Sequence, residues 1–300
     1  MAALTTSSLY LPQEYAGRII TKAGETSAIA KLSPSQGQTF TTKEHIILSA
    51  DPEAEWVAEG AQKSSSEVTT TRILSAIHKA QVSVRMTDEV VYADEDTRLG
   101  LMETVYDKLG EATGRALDYG IFHGVSPLTG ATVQGMTALS STANQQTISG
   151  TPQQEVDELP DAIIAAGYVP NGVALSVGFA NTLRKARNAT TGAREFPEIQ
   201  LDPTKVGSLG GLTAAVSGTV NGTRVAGANS TWGTKCVAFA GDYSLIKRGI
   251  VRDMGVEVIR YGDPDGAGDL RRTNEVLLRA EILYAWAVLD PLGFTVLKTA

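Results

Sequence analysis

The chain has 300 residues, 42% of them hydrophobic and 20% charged, enough for one large or two modest domains with their own cores and outside the disordered and fibrous classes. A formal net charge of −7 argues against a protein that grips nucleic acid through phosphate contacts, which need a clustered basic surface. Cys236 is the single cysteine, which excludes an intrachain disulfide framework and a multi-cysteine zinc site and fits a reducing cytoplasm.

The start, Met1-Ala2-Ala3-Leu4-Thr5-Thr6-Ser7-Ser8, lacks the basic residues and apolar run of a signal peptide. No apolar stretch approaches the ~20 residues of a membrane span, so no membrane contact is expected. Residues 1 to 38 are rich in Ser, Thr, Gly and Pro, with Leu9, Leu11, Ile19, Ile20, Ile29 and Leu32 as scattered apolar anchors; this predicts an extended arm that needs a surface to lie on. A strand-like run His45-Ile46-Ile47-Leu48 follows, then a polar tip from Glu59 to Glu67.

From Val68 to Met86 the even positions Leu74, Ala76, Ala80, Val82, Val84 and Met86 are apolar and alternate with polar residues, a period of two that predicts a strand. At ~3.3 Å per residue that strand would reach roughly 60 Å, so a ribbon built on it must rest on a neighbour, most economically another copy of the chain. After Asp94-Glu95-Asp96-Thr97 the spacing becomes helical, with Leu101, Val105, Leu109, Ala112, Ala116 and Tyr119 in steps of three and four and Gly124 closing the run. This predicts a rod of roughly 40 Å, opened by acidic residues acting as a cap and carrying glycines at 110, 114 and 120 that allow close approach.

From Pro152 to Ala240 a helix (153–166), a strand (173–177), a helix (179–187) and Gly-rich loops with short strands predict a separate α/β lobe. The tail returns to alternation, with Val276, Leu278, Ala280, Ile282, Tyr284, Trp286 and Val288 on one face of a strand ending at Asp290-Pro291.

These stretches resemble the major capsid protein family of tailed double-stranded DNA phages, whose fold is named for phage Hong Kong ninety-seven. Ala54-Glu55-Trp56-Val57-Ala58-Glu59-Gly60-Ala61-Gln62-Lys63 is similar to the family's extended-loop signature, and Thr87-Asp88-Glu89-Val90-Val91 and Asp118 to Gly124 resemble the start and finish of its spine helix. Val169 to Ser176, Thr191 to Phe196, Ala240-Gly241-Asp242-Tyr243 and Leu289 to Phe294 resemble the axial lobe and the return to the peripheral lobe. The resemblance implies an α+β fold: N-terminal arm (1–38), extended β-hairpin loop (39–86), peripheral domain with spine helix (87–150), axial α/β domain (151–246), peripheral return with a three-fold contact loop (247–290) and C-terminal strand (291–300). It implies a structural subunit, not an enzyme and without cofactor, that forms pentamers and hexamers of an icosahedral shell around DNA without sequence-specific contacts. Assembly in the host cytoplasm, a portal and decoration proteins follow from it. As the chain begins at the arm, a separate scaffolding protein or none is expected.

The same resemblance assigns residues. Trp56, Glu59, Gly60 and Lys63 are expected in extended-loop contacts. Asp263, Asp265, Asp269, Arg271 and Arg272 are expected in the three-fold contact loop. Some family members lock their shells by an isopeptide bond, and Lys63, Asn274 and Glu281 fill the places of the lysine, the asparagine and the proton-accepting glutamate. The bland reading is a solvated charge, a turn residue and a strand ion pair. Asp263, Asp265 and Asp269 hint at a calcium loop but lack its alternate ligand and closing glutamate. His45, His78 and His123 lie far apart in sequence and read as structural. An encapsulin-type compartment shell is the alternative. A hydrolase using Asp94 or Glu281 would need convergent polar groups, and the sequence assembles none.

Overall fold

A computed structural model of the protein describes residues 21–37, 42–48, 54–65, 69–97, 100–188, 190–222 and 235–299; the arm anchors Leu9, Leu11, Ile19 and Ile20 lie outside them. The described part of the predicted arm is not extended. Residues 21–26 are helical, α1 spans Ala28–Leu32, and Ser27, Ala28, Ile29 and Ser33 are wholly buried.

The alternating run from Thr70 onward is divided. Strand β1 (Glu44–Leu48) pairs antiparallel with β2 (Thr70–Leu74) as a two-stranded ribbon, while β3 (Ala76–Thr87) joins a different sheet in the order β3-β10-β9. Strands β9 and β10 span Ile246–Ile259 and Glu275–Val288. The break falls at Ser75, where the chain changes partner: its N–H donates to the Lys43 carbonyl at 2.9 Å, and Ala76 then faces Trp286. Alternation specifies a strand's faces and is silent on its partner, so one pattern serves two sheets.

The spine is likewise two helices, α2 (Asp88–Thr97) and α3 (Leu101–His123), parted at Gly100, whose φ of +68° is left-handed. Asp94 caps α3 from the preceding helix, its carboxylate accepting the Leu101 and Met102 N–H groups at 2.8 and 3.2 Å. Two expected close approaches occur. A Cβ on Gly114 would stand 2.4 Å from the Ala23 carbonyl oxygen, and one on Gly120 would stand 2.9 Å from the Trp286 ring. The even face of β10 supplies Leu278, Ala280, Ile282, Tyr284, Trp286 and Val288 to one core with Tyr106, Leu109, Leu117 and Ile121 of α3. Burial of such side chains contributes about 1.5–3 kcal/mol each.

The second lobe is a six-stranded mixed sheet in the order β4-β11-β8-β5-β7-β6. Its strands are β4 (Gln145–Thr147), β5 (Gly172–Leu175), β6 (Val206–Leu209), β7 (Leu212–Val216), β8 (Cys236–Gly241) and β11 (Phe294–Lys298). The predicted 153–166 helix is split into α4 (Pro152–Glu158) and α5 (Asp161–Ala165) at Pro160, which has no N–H to continue the ladder. Helix α6 (Val177–Lys185) follows β5, with Ser176 accepting the Phe179 N–H. Successive residues of the central strands face opposite cores. Ala174, Ala215 and Phe239 meet α1 and α3, while Val173, Leu175, Val216 and Ala238 meet α4, α5 and α6. Burial on both faces explains the unbroken apolar run of β8.

Candidate assembly interface

The tip exposes every described residue, and the ribbon exposes the face that carries Ile46 and Leu74 while His45, Ile47 and Ile73 are half-buried. In the ribbon, Glu44 faces Leu74 and Ile46 faces Arg72, with Ile46 73% and Leu74 50% exposed. A two-stranded ribbon is marginal in water and needs a covering surface. At the tip every described residue from Ala54 to Ser65 is exposed, and Trp56 is 104% exposed. The tip still has order of its own. Ala61 N–H donates to the Ala58 carbonyl across a turn with Gly60 at φ +78°. Ser64 N–H donates to Glu55 Oε1 at 2.8 Å, and that amide with the Ser64 hydroxyl holds the Glu55 carboxyl below its usual range. Lys63 and Glu59 project from this segment into solvent.

The loop from Arg260 to Asn274 turns its carboxylates onto its own amides. Asp263 accepts the Gly268 N–H at 3.0 Å, Asp265 accepts the Ala267 N–H at 3.3 Å, and Asp269 caps α7 (Leu270–Thr273) through the Arg271 and Arg272 N–H groups. These shape the loop and do not converge as a calcium cradle. Arg271 and Arg272 stay exposed, the former 5.5 Å over the Tyr261 ring. Sequence reasoning missed Tyr261 and Arg85. Arg85 ion-pairs with Glu275 at 2.8 Å and Asp265 at 3.5 Å. Its place within an alternating strand concealed that role, while the aromatic ahead of Gly262 was the only signal for Tyr261.

Asn274 and Glu281, two of the residues expected at a crosslink, stand apart along the chain. Asn274 is exposed with φ +53°, and its carbonyl accepts the Asp88 N–H. Glu281, seven residues on and so about 23 Å along the strand, sits across from Gln81 and ion-pairs with Lys79 at 2.7 Å. Asp94 caps a helix, and His123 Nε2 bonds the Thr219 carbonyl oxygen at 3.0 Å. Among the described residues no helix is long and apolar enough to cross a membrane.

An exposed tip, a ribbon with exposed apolar residues and a self-braced loop at 260–274 present surface for a further chain to cover. The phage capsid family pattern matches residues 8–299, and the chain belongs to that family. It is a structural subunit of a phage capsid shell, and the encapsulin reading is not favoured. A solved structure from Mycobacterium phage Ogopogo is 34% identical, with full coverage of both chains and a TM-score of 0.82. One from Gordonia phage Cozz is 27% identical over 92% of this chain and 87% of that one, with a TM-score of 0.75. A structure described as the capsid of a native GTA particle shares the fold at 15% identity and a TM-score of 0.57, covering 93% of this chain and 90% of that one. No curated protein matches the chain.

Proposed function

We propose that the chain closes into pentamers and hexamers of an icosahedral shell that encloses double-stranded DNA without reading its sequence, in the virion and after assembly in the host cytoplasm. A portal, decoration proteins and a scaffolding protein, where one is used, are its partners, and the subunit carries no catalytic role. The domain boundaries expected from the sequence are part of this reading, save that residues 76–86 pair with β10 in the three-stranded sheet and lie outside the ribbon.

The observation that carries it is Trp56, wholly exposed in the tip, beyond a ribbon whose Ile46 and Leu74 are exposed. An isolated chain gains nothing from such a tryptophan, whereas buried aromatic anchors dominate protein interfaces. Trp56, Glu59, Gly60 and Lys63 then rest on a second copy, and Asp263, Asp265, Asp269, Arg271 and Arg272 form the contact between capsomers. Electron microscopy of the purified protein tests this, with closed particles or capsomer rings expected. Trp56→Ala is expected to stay folded and lose at least about thirtyfold in assembly affinity, the effect of an interface anchor near 2 kcal/mol. A chain that remains monomeric in every condition, even with the other phage proteins, refutes it.

The exposure of both Lys63 and Asn274 also favours their meeting between copies. A boiled denaturing gel of assembled particles separates the cases: a ladder lost in Lys63→Ala and Asn274→Ala means an isopeptide bond, and a single monomer band means a non-covalent contact. For the bond, Glu281 has to leave Lys79.

A further inference from the structure

Two of the chain's three histidines stand where the ribbon leaves the body. Ser75 separates β2 from β3, and its hydroxyl lies 2.9 Å from His45 Nε2 while its N–H reaches the Lys43 carbonyl. One residue thus ties both strands of the ribbon at the root. The next row of the three-stranded sheet is Ala76, Trp286 and Arg248. The His78 ring lies tilted against Trp286, with centroids 4.6 Å apart and 39° between the planes. One of its ring nitrogens donates to the Gly135 carbonyl, and Nε2 is buried with no hydrogen-bond partner among the described residues.

We propose that this root is an acid-sensitive hinge: with neutral rings His45 holds Ser75 and His78 seats on Trp286, and protonation of both frees the ribbon to swing against the three-stranded sheet. The charged groups facing His45 are Lys43 from its own strand approach and Lys247 from β9, while Glu44 is engaged by Arg72 at 3.3 Å. A proton on His45 therefore adds a third positive charge to the joint. Across from His78 stands Tyr284, whose hydroxyl donates to the Thr113 carbonyl, and the strand's carboxylate Glu281, across from Gln81, is taken by Lys79, so a charged His78 gains no counter-ion there and buries an N–H without an acceptor.

Burial first, and for His45 the two lysines next, hold both rings below the usual histidine value near 6.5. The sign follows. A base whose pKa is depressed in the closed joint favours that joint fully above about pH 6.5, and the contribution is lost as pH falls through the depressed values. That the swing redirects an intersubunit contact rests on the shell reading; the hinge itself is a property of one chain.

Hydrogen–deuterium exchange on the purified full chain, corrected for intrinsic rates, tests it between about pH 7.5 and about pH 5. Peptides covering 44–48 and 70–74 are expected to lose protection about fivefold or more over that range while α3 does not. His45→Asn with His78→Gln is expected to remove the difference. Unchanged ribbon protection in the natural chain, or an equal loss in the double variant, overturns the hinge. Should the double variant fail to fold, ring-proton NMR titration of the natural chain decides: both rings titrating below 6.5 support it, and either at or above that value overturns it. A working hinge in a chain that forms no particles would sink the shell reading alone.

Discussion

Asp118 and Arg248 hold opposite ends of the five-residue helix α1, a buried carboxyl at its N-terminus and a buried guanidinium at its C-terminus. Asp118 Oδ1 accepts from Ser27 Oγ and the Ile29 N–H, and Oδ2 from the Ala28 N–H and Thr219 Oγ1. Arg248 donates to the Ser33 and Ala30 carbonyls. The guanidinium complements the helix dipole. Both groups satisfy terminal groups that water cannot reach.

The arrangement makes Asp118→Asn costly despite its identical shape. Each carboxyl oxygen serves one backbone N–H, so either orientation of an amide sets its NH₂ against one of them. Hydroxyls can rotate away and a backbone N–H cannot. A loss of about 1–3 kcal/mol is expected, the cost of one buried unsatisfied donor, read as a lower urea midpoint at unchanged slope. Stability equal to the natural chain would contradict the clamp.

Gly114 sets how closely residues 21–26 approach α3. With 2.4 Å between a would-be Cβ and the Ala23 carbonyl oxygen, Gly114→Ala must push backbone from backbone. The higher helix propensity of alanine, worth about 1 kcal/mol, should be outweighed. A net destabilisation of about 1–3 kcal/mol is expected by thermal or urea unfolding; any gain in stability would show that the strap yields freely.

Tyr168 donates to Asp290 Oδ2 at 2.6 Å beside the turn that joins β10 to β11. That hydrogen bond pushes its phenol up to about 12. As a raised acid, its contribution is present below the unfolded value near 10 and is lost as pH climbs through about 12. Ultraviolet titration of tyrosinate should show one group at that high value, and Tyr168→Phe should delete it. Its persistence in the variant would assign it elsewhere.

What the sequence disclosed follows from what periodicity can encode. Strand β10 buries its whole even face, so its register was legible from Val276 to Val288, whereas helix α3 buries Tyr106, Leu109, Thr113 and Leu117 and leaves the expected Leu101 exposed and Val105, Ala112 and Ala116 half-buried. The packed strap was not legible, because Ala23, Ser27 and Ala28 make no apolar stripe. Their burial depends on Asp118 and Arg248, about ninety and more than two hundred positions away. The split at Ser75 was hidden since β2 and β3 keep one alternation. In the candidate interface the tip was legible as a motif, while Arg85 counted only as a polar face.

Arg85 provides a test of the 260–274 loop within a single subunit. Its guanidinium pairs with Glu275 and Asp265 and also donates to the Gly268 carbonyl, joining β3 to the Asp263–Asp269 turn. At 17% side-chain exposure the site lies between a solvated pair and a buried one, so Arg85→Met is expected to cost about 1–2 kcal/mol. Most of that cost arises from leaving two partly buried carboxylates without their cation. The change should be local, with faster exchange and earlier proteolysis at 262–269 and an unaltered six-stranded sheet. Double substitution with Glu275→Gln should recover part of the loss, because it removes one orphaned charge. Strict additivity of the two variants would show that Arg85 and Glu275 are uncoupled and that the loop is braced by its own amides alone.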